Sequence, residues 1–274
     1  MTAAVTSAVA VAERLGVPVR DPAVLRESSS VIVLLAPGGP VARVAGLTAV
    51  VRDNRAHRTR EVAVARALAA AGAAVVAPFA PAGPREHDGR LITLWALAPG
   101  GLAEDGAAIG ATLRACHAAL RAYGGPLPPL RTLLDEAASV VARGALGRAD
   151  AALVRDGLAA ASEAIEAFPA PAQPLHGDAG LGNALAGPLW NDWEDAVVGP
   201  LEWDLACLVT SARVTGERRD VAEAALAAYG APLPELFVRA RGLQVVAWSG
   251  LAAAAGDARA RLPARLAWLR GQLG

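Results

Sequence analysis

The sequence predicts an α+β fold, with strands gathered in the first hundred residues and helices filling most of the remainder. Three observations carry this. Apolar, β-branched runs at residues 31–36 and 41–45 flank Pro37-Gly38-Gly39-Pro40, the composition of a hairpin turn. Beyond Pro99-Gly100-Gly101 the apolar spacing becomes helical in segment after segment. A 274-residue chain that is 54% hydrophobic and 19% charged can bury a large core.

Taken in order, residues 3–15 read as an amphipathic helix. No basic segment precedes them, so they do not read as a signal peptide. The hairpin strands follow, then residues 53–71, where Val62, Ala65, Leu68 and Ala69 keep a helical stripe and Gly72 stops it. Residues 74–79 and 91–97 are expected as two further strands joined by the polar stretch 81–90. Helices are expected over 113–123, 131–144, 151–168, 221–229, 236–249 and 260–273. Between them, residues 169–200 are rich in Pro, Gly, Asp and Asn and read as loops on very short strands. Loops held by a rigid scaffold are where chemistry concentrates.

Composition excludes several classes of function. Lys+Arg and Asp+Glu are both 26, and every basic residue is arginine. Schiff bases, a Walker lysine and a serine–lysine dyad are therefore ruled out. The balanced charge predicts no nucleic-acid partner and no anionic membrane surface. The uncharged runs, broken by proline and glycine, predict no membrane span. Cys116 and Cys207, in apolar helical sequence, read as buried free thiols. Together these features point to a soluble, cytoplasmic protein.

The chemistry-bearing residues lie in the loop-rich stretch. His176-Gly177-Asp178 is followed five positions later by Asn183, and then by Asn191-Asp192-Trp193-Glu194. Phosphoryl transfer to a hydroxyl needs a carboxylate to orient the hydroxyl and accept its proton, plus oxygen ligands for Mg²⁺ on the nucleotide phosphates. Asp178 can supply the base, and Asn183 and Asp192 the ligands. The alternative is that Asp, Asn and Gly gather here because turns need them; three such residues at these spacings favour function.

These residues resemble the aminoglycoside phosphotransferase and choline kinase-like enzymes. The resemblance runs through residues 175–185 and 191–195 and through Gly199-Pro200 and Asp204-Leu205-Ala206. It implies a bilobal protein-kinase-like fold, a small β-rich N-lobe over residues 1–97 and a mainly helical C-lobe over 98–274. It further implies Mg²⁺, ATP or GTP as co-substrate, and a small-molecule hydroxyl acceptor. Asp178 would be the catalytic base, Asn183 and Asp192 would hold metal, and His176 and Asp204 would brace the loop. His117 resembles the family's structural helix histidine.

The same scheme assigns the N-terminal half. Arg43, on the strand 41–45, stands where a phosphate-anchoring lysine is expected, and Glu61 on the following helix is its expected partner. A surface salt bridge is the alternative. Ser28, Ser29 and Ser30 would form the phosphate-covering loop, unless they are an ordinary turn. Trp95 and Leu97 would lie at the hinge that reads the base, with a core tryptophan as the alternative for Trp95.

The remaining titratable residues receive plainer readings. His57 and His87 are expected to be exposed, and Arg52, Arg55, Arg58 and Arg60 to form one solvated helix face. Trp248 and Trp268 read as core or cleft-wall residues. Residues 205–274 hold more arginines than acids, which tilts the acceptor away from polycations. A nucleotide-binding pseudokinase without turnover is the alternative function, supported by Arg43.

Overall fold

The computed structural model describes residues 2–27, 30–46, 51–257 and 261–273. Helix α1 (Ala3–Arg14) is capped by Thr2, whose hydroxyl accepts from the Val5 N–H at 3.4 Å. Strands β1 (Ala23–Glu27), β2 (Ser30–Leu34) and β3 (Val41–Ala45) follow as an antiparallel meander. Helix α2 (Asn54–Ala70) starts where the Asp53 carboxylate accepts from the N–H groups of Arg55 and Ala56. Strands β4 (Arg85–His87) and β5 (Arg90–Trp95) complete one sheet in the order β1-β2-β3-β5-β4.

Strand pleating sorts this sheet into two faces. Ala42 and Val44 turn toward α1 and pack with Val5, Ala8, Val11 and Ala12, alongside Val33, Leu35, Ile92 and Leu94. Val41 joins the other, larger core, together with Trp95 and with Val62, Ala65 and Leu68 of α2. Arg43 points the same way as Val41.

Two expectations for this half are corrected. Residues 74–79 form no strand, entering ladders only through isolated bridges at Val75 and Pro78. Proline lacks the N–H a ladder requires, and Pro78, Pro81 and Pro84 recur here. Within the supposed connector, β4 pairs with β5 across the turn Asp88-Gly89, both at positive φ. It is a charged edge strand with no apolar alternation, which is why the hydrophobic pattern hides it.

The remainder is chiefly helical: α3 (Gly106–Leu120), α4 (Arg131–Ala142) and α5 (Arg148–Glu166) before the loops, then α6 (Glu202–Thr215), α7 (Arg219–Tyr229), α8 (Glu235–Ala254) and α9 (Leu262–Leu273). Helix α3 begins well before residue 113 because Asp105 caps it, accepting from the Ala108 N–H at 3.1 Å. It then crosses α7 so closely that a Cβ on Gly110 would lie 2.1 Å from the Ala225 carbonyl oxygen. Helix α6 shows no amphipathic stripe in the sequence because Trp203 through Thr210 are all buried. Both cysteines are free and buried. Among the described residues no helix is long and apolar enough to cross a membrane.

Between α5 and α6 lie β6 (Ala172–Leu175), β7 (Ala184–Leu185), β8 (Leu189–Trp190) and β9 (Val197–Pro200). β6 pairs antiparallel with β9, and β7 with β8. The two ladders hold the intervening loops between the sheet and the helices.

Candidate active site

The loop after β6 is fixed from beneath by one buried carboxylate. Asp204, at the start of α6, accepts from the His176 N–H at 2.7 Å, the Gly177 N–H at 2.9 Å and His117 Nε2 at 2.8 Å. Burial pushes this carboxyl up, but the His117 and His176 donors outweigh it and hold it below the usual range. Trp203 Nε1 donates to the Gly177 carbonyl at 2.9 Å. Gly177 has φ +84°, and a Cβ there would fall 1.8 Å from the Asp195 carbonyl oxygen, so only glycine fits. His176 Nε2 bonds the Asn191 carbonyl at 2.9 Å and Nδ1 accepts from the Asp178 N–H at 3.2 Å. The imidazole thereby ties the Asp178 loop to the β8 turn.

Asp178 emerges from this scaffold half-buried. Its Oδ2 accepts from Asn183 Nδ2 at 3.0 Å, and its Oδ1 accepts from Arg241 on α8. Burial, helped by the nearby Asp195 and Asp192 charges, raises the Asp178 carboxyl above its ordinary value, with Arg241 pulling the other way. Asn183 closes a short 3₁₀ turn and donates also to the Asp178 carbonyl at 2.8 Å, which leaves its own side-chain oxygen for another partner. Asn191 reaches back to the Asn183 carbonyl at 3.0 Å through both its backbone and side-chain N–H groups. The next residue, Asp192, takes left-handed angles (φ 67°, ψ 51°) that turn its carboxylate toward the cleft.

Arg43 meets Asp192 there. Its guanidinium pairs with Glu61, with Asp192 at 2.7 Å and with Glu194 at 3.3 Å, and its Nε donates to Ser30 Oγ at 3.3 Å. Arg58, fully buried, meets the same groups, pairing with Glu61 at 3.0 Å and Glu194 at 2.6 Å and donating to Ser30 Oγ at 2.9 Å. The Asp192 carboxyl is pushed up by burial and pulled further down by Arg43 and Arg58, ending below its ordinary value. Ser30 therefore spends its hydroxyl on two arginines. Ser28 and Ser29 lie outside the described residues.

The expected solvated arginine face does not form. Of the four residues only Arg55 is exposed. Arg52 pairs with Asp195 at 2.8 Å, Glu194 at 3.4 Å and Glu136 at 3.5 Å, and its guanidinium sits 4.7 Å over the Trp248 ring. Arg60 Nε donates to the Glu194 carbonyl at 2.9 Å. His57, expected to be exposed, is buried between Glu136 at 2.9 Å and the Glu194 carbonyl at 3.1 Å. Arg58 carried a usable signal: it precedes Glu61 by three residues and so shares its helix face. If Glu61 looks inward to Arg43, Arg58 must too. Arg241 carried no local signal.

Two cavities meet at this point. A cleft of about 390 Å³ is lined by Ile32, Val41, Arg43, Trp95 and Leu97, among others. Trp95 Nε1 is used internally on Thr93 Oγ1 at 2.8 Å, so the indole offers the cleft only its apolar surface. The Ala96 N–H is taken by the Ala77 carbonyl at 2.9 Å. A second cavity of about 530 Å³ is lined by Asp178, Arg241, Trp248 and Arg265, among others. Asn183 and Asp192 line both.

Among the described residues no three His, Cys, Asp or Glu side chains are grouped to hold a metal by themselves. A site of one carboxylate and one amide oxygen suits a cation that keeps most of its coordination for phosphates and water, as Mg²⁺ does. Asp192 Oδ1 fits that use: it is a buried carboxylate oxygen at the mouth of both cavities, held by the Arg43 guanidinium at 2.7 Å with the Arg58 charge nearby.

A family model described as the phosphotransferase enzyme family matches residues 41–244. No curated protein matches the sequence. Among solved structures, the choline kinase LicA of Streptococcus pneumoniae is similar over 96% of this chain and 98% of its own, at 14% identity and a TM-score of 0.66. The GDP complex of an aminoglycoside 2′-phosphotransferase is similar over 95% of this chain and 94% of its own, with 18% identity and a TM-score of 0.58. A spectinomycin phosphotransferase in complex with ADP and spectinomycin is similar over 96% and 92%, at 12% identity and a TM-score of 0.60.

Proposed function

Because the chain belongs to the phosphotransferase enzyme family, and so is a small-molecule phosphotransferase, we propose that it moves the γ-phosphate of ATP or GTP to an acceptor hydroxyl, with Asp178 as the base. The supporting observation is the division of the cleft. Arg43 lines only the smaller cavity and Asp178 only the larger, while Asn183 and Asp192 line both. Nucleotide on the first side and acceptor on the second would bring the reacting atoms together between them. On this reading residues 1–97 cover the nucleotide, and residues 98–274 carry the catalytic loop and the acceptor.

Each side chain then has a task. The acceptor oxygen forms the new bond to the γ-phosphorus, and the bond from that phosphorus to the β–γ bridging oxygen breaks. The hydroxyl proton passes to the Asp178 carboxylate, and nucleoside diphosphate leaves. Asn183 and Arg241 hold Asp178 in orientation. Asn183 Oδ1 and Asp192 would hold Mg²⁺, which when bound neutralises charge on the phosphate oxygens. Arg43, steadied by Glu61, takes the phosphate-anchoring place of a lysine with a two-donor fork. The base lies against Trp95 and the backbone near Leu97. The related structures with ADP or GDP support a nucleotide co-substrate.

The full chain incubated with Mg²⁺ and ATP or GTP is expected to release nucleoside diphosphate only when a hydroxylated acceptor is added. Phosphate release independent of any acceptor would instead make the protein a hydrolase. Nucleotide binding without turnover across a broad acceptor panel would also overturn the proposal.

A further inference from the structure

Carboxylates in the acceptor-side cavity are already engaged. Asp178 is held by Arg241, Asp192 by Arg43, Glu194 and Asp195 by Arg52, and Glu217 by Arg261. Asp257 is engaged as well. A polycationic acceptor entering this space would have to strip an arginine from one of these pairs.

The cations are not balanced in the same way. Arg265 enters the cavity from α9, and its Nη1 donates to Ser249 Oγ on α8. Its Nε is buried without a hydrogen-bond partner, and among the described residues no carboxylate pairs with it. Burial, reinforced by repulsion from Arg241 and Arg261, lowers its pKa from the ordinary guanidinium value. A guanidinium in that position has donors to spare and a field that an anion would relieve. Arg241 connects it to the chemistry, since Arg241 bonds Asp178 and lies close enough to Arg265 for the two charges to repel. Leu208, Ala212, Val245 and Trp248 give the same cavity an apolar wall.

We propose that the acceptor is an anionic hydroxylated small molecule, its carboxylate or phosphate group bound by Arg265 while its hydroxyl lies against Asp178. This rests on the phosphotransferase reading above and names the acceptor class that reading leaves open. Arg265 is a specificity-determining residue on this account, and Arg241 sits between the anchored anion and the base.

The test is calorimetric titration of the full chain, saturated with MgADP, using four probes that share a three-carbon skeleton. Glycerate and glycerol 3-phosphate are anionic, glycerol is neutral, and 3-amino-1,2-propanediol is cationic. Either anion is expected to bind at least about tenfold more tightly than the neutral and cationic probes, the gain typical of a hydrogen bond to a charged group. The stronger of the two identifies carboxylate or phosphate as the preferred group. Arg265→Gln should abolish the advantage and Arg265→Lys should keep part of it, with MgADP affinity unchanged in both. Preference for the neutral or cationic probe, absence of anion binding, or an anion preference that survives Arg265→Gln would each overturn the proposal. Failure of MgADP itself to bind would instead bring down the phosphotransferase reading and this one with it.

Discussion

The Arg43 guanidinium faces three carboxylates, Glu61, Asp192 and Glu194, and shares two of them with Arg58. A planar fork can hold a carboxylate and a phosphate at once, which a lysine ammonium does as a point charge. Removing it leaves Asp192 and Glu61 facing Arg58 alone. Arg43→Ala is therefore expected to weaken MgADP binding and turnover together, while Arg43→Lys keeps binding, as equilibrium titration and steady-state rates would read. Asp178 is expected to behave differently, because it lines the proposed acceptor cavity and not the proposed nucleotide cavity. Asp178→Ala should cost roughly 10²–10⁴ in rate with nucleotide affinity nearly intact. Arg241 lowers the Asp178 carboxyl, which its surroundings otherwise raise. In its proposed role as base Asp178 works only when ionised, so taking away Arg241 should raise its pKa and move the acidic limb of the pH–rate profile upward. Arg241→Gln with an unmoved acidic limb would show that Arg241 does not act on the base.

At the scale of elements, the Asp178 loop depends on where α3 and α6 meet it. The Asp204 carboxylate, fully buried, joins His117 of α3 to the backbone of His176 and Gly177. Its pKa is depressed in the folded protein. The stabilisation is thus present above the unfolded value of about 3.9 and is lost as pH falls toward the folded one. Asp204→Asn is expected to cost about 3–5 kcal/mol at neutral pH, because His117 and two backbone donors lose a charged acceptor. Denaturant unfolding of both proteins should show that gap narrowing below about pH 4. A gap independent of pH would mean that packing, not charge, sets the cost.

For the whole molecule, the smaller cavity is lined from β3, β5 and α2 on one side and by Asn183, Leu185, Asn191 and Asp192 on the other, and at Asn183 and Asp192 it joins the larger cavity, lined from the β6–β9 loops, α6, α8 and α9. A ligand spanning that junction binds only the folded arrangement and so stabilises it by mass action. Saturating MgADP at about a hundred times its dissociation constant contributes about 2.7 kcal/mol, or roughly 5–10 °C in melting temperature for a chain of this size. Asp192→Ala should abolish the part of that shift that depends on Mg²⁺. An equal shift with and without the side chain would overturn the proposed metal role of Asp192.

The sequence by itself determined the features that are local. Asp178 and Asn183 share one loop, Asn191 and Asp192 the next turn, and a backbone that bends so tightly at Gly177 leaves few ways to arrange them. Helical stripes and the Pro37–Pro40 turn likewise declare themselves within a few residues, because they follow from backbone periodicity and allowed dihedral angles. Only the tertiary structure decided which charges meet. Arg241 is 63 residues from Asp178 in the chain, and His57 is 79 from Glu136. Arg58 and Arg52 look solvated in sequence and are buried because α2 packs against the turn at residues 193–195. Long side chains choose partners from whatever folding brings within reach, and burying a guanidinium is tolerated only when carboxylates from other elements arrive with it.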